Sequence, residues 1–195
     1  VITVMTVGFV NAGMMSLVQA ISIIFGSNIG TTITGWIIAI KIGKYGIHMI
    51  GLGALPMLFL KDERWKKLGS ILFALGLIFI GLETMSGAFK PLRSDPGFLQ
   101  SLTWFSAETT LSLIATIGMG CLLTMLIQSS SAMLGITIAL ASTVAISFQT
   151  AAALVLGENL GTTITALLAS VGTSTDARRT ALAHAIFNLS GVGIM

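Results

Sequence analysis

The sequence is short of charge and of cysteine. Only 9% of its 195 residues are charged, against about 25% in ordinary soluble domains, which excludes a typical water-soluble protein. The single cysteine, Cys121, excludes an internal disulfide. No charged residue precedes Lys41, so the first apolar run lacks the basic flank of a secretory signal peptide. The net charge of +3 is too modest to indicate nucleic acid binding and fits short loops of a membrane protein.

What the sequence does contain is apolar. Hydrophobic residues make up 54% of the chain and the mean hydropathy is +0.98. This composition predicts an all-α integral membrane protein with several spans of about 20 residues each, located as a multi-pass protein in the cell (plasma or inner) membrane. Val1 and Met195 both lie inside apolar runs, and we expect the complete protein to continue beyond both.

One polar stretch interrupts the apolar second half. Gln128, Ser129, Ser130 and Ser131 separate the apolar runs 111–127 and 132–148. An unpartnered hydroxyl in hydrocarbon costs roughly 4–8 kcal/mol, so these side chains must pack against protein, be solvated in a cavity or bind a ligand. Small residues also form close helix-packing surfaces, and for this stretch alone packing and ligand binding remain equal alternatives.

A second motif occurs twice. Residues 26–34 read GSNIGTTIT and residues 157–165 read GENLGTTIT, identical at seven of nine positions and 131 residues apart. At the same offset Thr6 matches Thr137 and Ser16 matches Ser147. The chain is therefore predicted to consist of two repeats. Their ranges are 1–89 and 111–195, with an interfacial connector at 90–110. The repeat also predicts a Gln/Ser-rich block immediately before Val1.

Repeats that carry broken helices are typical of secondary transporters. Such repeats are often inverted about an axis in the membrane plane and bind substrate near the midplane. We expect helices to start after Thr31 and Thr162, with free N–H groups and a positive dipole end suited to an anion. Neither repeated block contains a basic residue, so an anion bound there needs helix dipoles and a co-bound cation.

These motifs, together with ALAHAIFNLSG at residues 181–191, resemble the type II sodium-dependent phosphate cotransporters, and the chain is identified as similar to their prokaryotic members. The resemblance implies inverted repeats with re-entrant hairpins around a shared site for inorganic phosphate and sodium. The implied substrate-binding residues are Asn28, Thr31, Gln128, Ser129, Ser130, Ser131, Asn159 and Thr162. The implied sodium ligands are Thr32, Gln128, Ser129, Glu158 and Thr163.

The function predicted on this basis is sodium-coupled import of inorganic phosphate by alternating access. Sodium is the coupling ion and no other cofactor is expected. One alternative keeps the fold but moves another oxyanion, arsenate or sulfate, or provides a passive anion pathway. An intramembrane enzyme is disfavoured because no base accompanies the serines of residues 129–131. The expected partners are phosphate, sodium and the lipid bilayer, with no nucleic acid and with a homodimer as the candidate assembly.

Three ionisable residues complete the sequence interpretation. Glu158 replaces Ser27 of the first block and is interpreted as a cation ligand, a protonatable switch or a water-exposed carboxyl at a helix entrance. His48 and His184 have no carboxylate or cysteine at metal-ligand spacing. Both are therefore interpreted as satisfied core or interface residues.

Overall fold

The fold is helical throughout the residues that the structure, a computed structural model, describes. These are residues 1–39, 45–89, 106–142 and 145–195, together with Pro91, Asp95 and Gly97. No strand occurs among them, which confirms the all-α prediction. Most of the predicted connector at 90–110 lies outside the described residues.

Nine helices follow one another along the described chain. In the first half they are α1 (Ile2–Asn11), α2 (Leu17–Ala39), α3 (Gly46–Phe59) and α4 (Glu63–Phe89). In the second half they are α5 (Thr110–Ile127), α6 (Ser130–Ser142), α7 (Phe148–Gly161), α8 (Thr163–Ala169) and α9 (Thr175–Ile194).

Four stretches are long and apolar enough to cross a membrane. They are Leu17–Trp36, Glu63–Thr84, Thr110–Ile127 and Phe148–Ala169. Helices α1, α3 and α6 are apolar but only 10–14 residues long, shorter than the roughly 20 residues of a full span. Full-length and short apolar helices therefore occur together, as predicted, whereas the inverted orientation of the repeats stays a prediction.

The two repeats share helix boundaries. Helix α1 ends at Asn11 and α2 begins at Leu17, while α6 ends at Ser142 and α7 begins at Phe148, so both boundaries move by the same 131 residues. The cap is repeated too. The Ser16 hydroxyl accepts a hydrogen bond from the backbone N–H of Gln19 at 3.4 Å. The Ser147 hydroxyl accepts one from the backbone N–H of Thr150 at 3.1 Å. Sequence similarity here corresponds to equivalent local structure.

The predicted helix start after Thr31 is wrong, because α2 runs unbroken through residues 26–34. Inside α2 the Asn28 amide donates to the carbonyl of residue 24 at 3.1 Å, and the Thr31 hydroxyl donates to that of residue 27 at 3.1 Å. Polar side chains that bond to the preceding turn are tolerated within a helix. This block therefore has no helix N-terminus to offer to an anion.

The second block contains only a small interruption. Helix α7 ends at Gly161 and α8 begins at Thr163, but the N–H of Thr162 still donates to the Glu158 carbonyl at 3.0 Å. Helix α8 has only seven residues and no side-chain cap. The predicted helix start after Thr162 is therefore confirmed, but the helix is short and continues the hydrogen bonding of α7, so it gives little support to the argument from helix dipoles.

Glycines bring α5 and α7 into backbone contact. A Cβ on Gly120 would overlap the Leu154 carbonyl oxygen, and one on Gly157 would overlap the carbonyl oxygen of residue 117. A Cβ on Gly161 would lie 2.8 Å from the Cβ of Thr124. Small residues allow this approach between membrane helices. The contact places the end of α5 directly against the α7–α8 junction.

Helix α9 closes the bundle against the first repeat. The backbone N–H of Ser174, which caps α9, donates to Asn11 Oδ1 at the end of α1 at 2.8 Å. Further along, Phe187 of α9 stacks on Phe25 of α2 with 4.5 Å between ring centroids. A buried cluster of small apolar residues, including Val7, Ala166 and Ala181, fills the space between these helices. These contacts fix the distant ends of the sequence against each other.

The close contact predicts opposite effects at two glycines of α5. Gly118→Ala faces open space and should leave stability unchanged or raise it by about 1 kcal/mol through helix propensity. Gly120→Ala must displace the backbone of α7 and should lower stability by about 1–3 kcal/mol. Thermal unfolding in detergent measures both. Equal melting temperatures for the two variants would contradict the backbone contact.

Candidate functional site

A cavity of about 620 Å³ lies where the two repeats meet. Its walls come from the first turn of α1, from α2, from the α5–α6 and α7–α8 junctions, and from α9. Six of the residues predicted from the sequence line it, and they come from all three polar motifs: Asn28, Thr31, Gln128, Ser130, Asn159 and Thr162.

The other predicted residues do not line this cavity. The Ser129 hydroxyl accepts the N–H of Ala132 at 3.3 Å and so caps α6, whereas Ser131 is exposed. Thr163 is buried and donates to the Leu160 carbonyl at 2.8 Å. Thr32 lines a neighbouring cavity of about 610 Å³. Ser130 and Ser131 are the first two residues of α6. They differ in position because successive residues of a helix point in different directions.

The neighbouring cavity shares three wall residues with the first. Asn28, Thr31 and Asn159 line both cavities. The remaining lining of the second cavity is mostly apolar and includes Trp36 and Phe187. These three residues therefore contact both the more polar and the more apolar cavity.

The break between α5 and α6 is made by Gln128. Its φ and ψ are 55° and 25°, a left-handed conformation, and it is the only non-glycine residue with positive φ among the described residues. Its N–H closes the last turn of α5 on the Thr124 carbonyl at 2.7 Å. A left-handed residue other than glycine costs about 1–2 kcal/mol, and such strain is concentrated at functional sites.

Most of the threonine hydroxyls at the cavity already donate a hydrogen bond to a carbonyl of their own helical segment. Thr31 donates to the carbonyl of residue 27 at 3.1 Å, Thr162 to that of Asn159 at 2.7 Å, and Thr165 to that of Thr162 at 3.0 Å. The Asn28 amide is likewise committed to its own helix. These side chains therefore present oxygen lone pairs to the cavity. Oxygen is the ligand atom that a hard cation prefers.

Other polar groups at the cavity are uncommitted. Within the described part of the chain, the side chains of Gln128, Ser130 and Asn159 form no hydrogen bond. Thr124 and His184 also line the cavity, and Thr124 Oγ1 and His184 Nδ1 are the two buried side-chain atoms without a partner among the described residues. Gln128, Ser130 and Asn159 therefore have N–H or O–H donors available at the cavity.

The sequence interpretation missed Thr124 and the role of His184. Thr124 lies one turn before Gln128, so helical periodicity alone places the two on one face of α5. His184 is buried, at 4% exposure, as predicted, but its Nδ1 is not satisfied. It was visible in the sequence only as part of the segment 181–191.

The cavity is nearly free of charged side chains. Among the described residues that line it there is no Lys, Arg, Asp or Glu, and His184 is the only ionisable side chain. The described residues also hold no cluster of three or more His, Cys, Asp or Glu that could hold a metal ion. An ion bound here would therefore contact neutral side chains, with His184 as the one ionisable side chain among them.

Glu158 lies behind the cavity wall. It is 2% exposed, which contradicts the interpretation as a water-exposed carboxyl. Its Oε1 accepts the Thr137 hydroxyl at 2.6 Å, which ties α7 to α6. The equivalent hydroxyl in the first repeat, Thr6, instead donates to the carbonyl of residue 2 at 2.9 Å. The second helix pair therefore has a polar cross-link that the first lacks.

Comparisons with known proteins agree on one family. The family model described as Na+/Pi-cotransporter matches residues 1–87 and 98–195. A Bacillus subtilis (strain 168) protein named "Uncharacterized protein YqeW" is 34% identical over 195 residues, 98% of this chain and 61% of the relative. An Escherichia coli (strain K12) protein named "Putative inorganic phosphate export protein YjbB" is 28% identical over 189 residues, 97% of this chain.

The chain spans 61% of the length of the Bacillus relative and 34% of the Escherichia relative. No solved structure matches it at a significant level.

The Thr137–Glu158 bond predicts unequal effects at equivalent threonines. Thr137→Val leaves a buried carboxyl without this hydrogen bond and should lower stability by about 1–3 kcal/mol. Thr6→Val removes only a bond to its own helix and should cost less. Thermal unfolding of the two variants measures the difference, and Glu158→Gln, which keeps a side-chain oxygen as acceptor, is the control. A larger loss from Thr6→Val would contradict the importance of this cross-link.

Proposed function

The chain belongs to the Na+/Pi-cotransporter family, and on this premise we propose that it is part of a secondary transporter that couples the movement of sodium to that of inorganic phosphate. The same family membership argues for a transporter rather than an enzyme. One observation supports the proposal above all. The Gln128–Ser130 break and both repeated blocks line a single cavity, although they are widely separated in the sequence.

The cavity offers different chemistry to the two ions. Hydroxyl and amide groups committed to their own helices present acceptor oxygens, and the residues of this kind, Asn28, Thr31 and Thr162, suit sodium. Uncommitted donors at Gln128, Ser130 and Asn159 suit phosphate oxygens. We therefore place Asn28, Thr31 and Thr162, which the family resemblance assigned to the substrate, on the sodium side of the site.

Coupling follows from electrostatics in this proposal. A phosphate anion brought into a cavity lined by neutral side chains carries a large desolvation penalty. A sodium ion bound beside it offsets that penalty, so each ion raises the affinity of the other. Each net positive charge carried inward is worth about 2.3 kcal/mol per 100 mV of membrane potential.

We propose that transport runs inward across the cell membrane under an inward sodium gradient. The name of the Escherichia relative points to export, and a coupled carrier runs in whichever direction the combined gradients favour. Alternating access between the two sides of the membrane is the mechanism that we propose, by analogy with transporters built from repeats. Homodimer formation remains a prediction.

Sodium coupling is tested with the complete protein in proteoliposomes. An inward sodium gradient should drive saturable uptake of radiolabelled phosphate, and replacement of sodium by choline or potassium should abolish the uptake. Reversing the sodium gradient across preloaded vesicles should drive efflux. Uptake that persists unchanged in choline would contradict coupling, and stronger inhibition by arsenate or sulfate than by unlabelled phosphate would change the assigned substrate.

The division of the cavity predicts separable effects on the two ions. Ser130→Ala removes an uncommitted donor and should raise the half-saturating phosphate concentration by about tenfold. Thr162→Val removes an acceptor oxygen and should raise the half-saturating sodium concentration instead. The matched controls are Ser142→Ala at the far end of α6 and Thr84→Val in α4, whose hydroxyls bond their own helices away from the cavity. Identical shifts in all four variants would mean that these residues only pack.

A further inference from the structure

Two residues on different helices line the same cavity, and each has a buried polar atom without a hydrogen-bond partner among the described residues. Thr124 is 1% exposed and His184 is 4% exposed, and both residues line the 620 Å³ cavity. Thr124 Oγ1 and His184 Nδ1 have no hydrogen-bond partner among the described residues. A buried polar atom in a native protein normally has a partner, and the cavity that both residues line is where one can bind.

The behaviour of neighbouring side chains makes Thr124 unusual. Thr116, two turns earlier on the same face of α5, donates to the carbonyl four residues before it at 2.8 Å. Thr180 of α9 does the same at 2.8 Å. A buried threonine in these helices thus normally satisfies its proton on its own backbone. The Thr124 hydroxyl does not, although it lies in the same kind of helix and is equally buried.

The backbone of His184 lies in a hydrogen-bonded helix that packs against several others. The missing partner of Nδ1 is therefore not explained by poor packing of this helix. Its carbonyl accepts the Asn188 amide one turn later at 3.0 Å. Its helix α9 packs against α1, α2, α7 and α8. His184 therefore lies on a well-packed helix and lines the cavity, while its Nδ1 is buried and unsatisfied.

We propose that Thr124 Oγ1 and His184 Nδ1 donate hydrogen bonds directly to the oxygens of the transported oxyanion, from α5 and α9. The inference rests on the proposed function and adds two residues to its substrate contacts. An imidazole nitrogen is a poor ligand for sodium, which prefers oxygen, so the pair belongs to the anion. Gln128, four residues after Thr124, also lines the cavity and provides a further donor.

The first test removes the Thr124 hydroxyl in the complete protein. Thr124→Val keeps the shape of the side chain and should raise the half-saturating phosphate concentration about tenfold, the loss expected for one hydrogen bond to a charged group. Because the hydroxyl has no partner in the protein, the melting temperature without phosphate should stay the same or rise. Thr116→Val is the matched control and should lower the melting temperature while phosphate affinity is kept.

The second test exploits the two nitrogens of His184. The amide of an asparagine reaches about the position of Nδ1, and that of a glutamine about the position of Nε2. His184→Asn should therefore keep phosphate affinity within about threefold, whereas His184→Gln should lose about tenfold. His48→Gln in α3, whose ring contacts Tyr45 edge-on, is the control and should leave the affinity unchanged.

The outcomes separate this inference from the function on which it rests. Wild-type protein that shows no saturable phosphate uptake overturns both. Normal wild-type uptake with unchanged phosphate affinity in Thr124→Val and His184→Gln overturns only the contact, as does a shift confined to sodium. Binding of phosphate to protein labelled with ¹⁵N-histidine should also move one imidazole resonance, which is absent from His184→Gln. A spectrum unchanged by phosphate contradicts the contact.

Discussion

The structure depends on the backbone contact between α5 and α7. Gly120, Gly157 and Gly161 leave room for the carbonyls of the facing helix, and no larger residue fits there without displacing a backbone. The contact lies within a turn or two of both interruptions, the Gln128 break and the α7–α8 junction. Because glycine-lined helices cannot slide or separate without losing these contacts, the two polar junctions stay side by side and form one wall of the cavity.

A polar side chain in a membrane helix has few possible hydrogen-bond partners. The cavity residues differ in whether their donors have found one. A hydroxyl that donates to its own helix is stable without a ligand and shows only its lone pairs, as at Thr31 and Thr162. A buried group that keeps its donor free, as at Thr124, is costly until something accepts from it. Residue type alone does not distinguish these states, because both are threonines.

The sequence was a good guide to what repeats and a poor guide to backbone continuity. The matched blocks predicted equivalent helix boundaries, and the structure has them at Asn11 and Ser142. Glycine and threonine in 26–34 suggested a helix start, yet α2 is continuous there, because side-chain bonds to the preceding turn make such residues acceptable inside a helix. The orphan atoms of Thr124 and His184 depend on contacts between distant segments, and no local pattern could reveal them.

Equivalent helix boundaries do not make the two repeats alike inside. In the first, α2 is continuous and the Thr6 hydroxyl bonds only to its own helix. In the second, Glu158 ties α7 to α6 through Thr137. The first repeat has Ser27 where the second has Glu158, and a serine side chain is too short to replace the carboxyl in a bond of this kind. A single difference between two matched sequence blocks therefore joins one pair of helices through a buried hydrogen bond to a carboxyl, which is stronger than a bond between neutral groups.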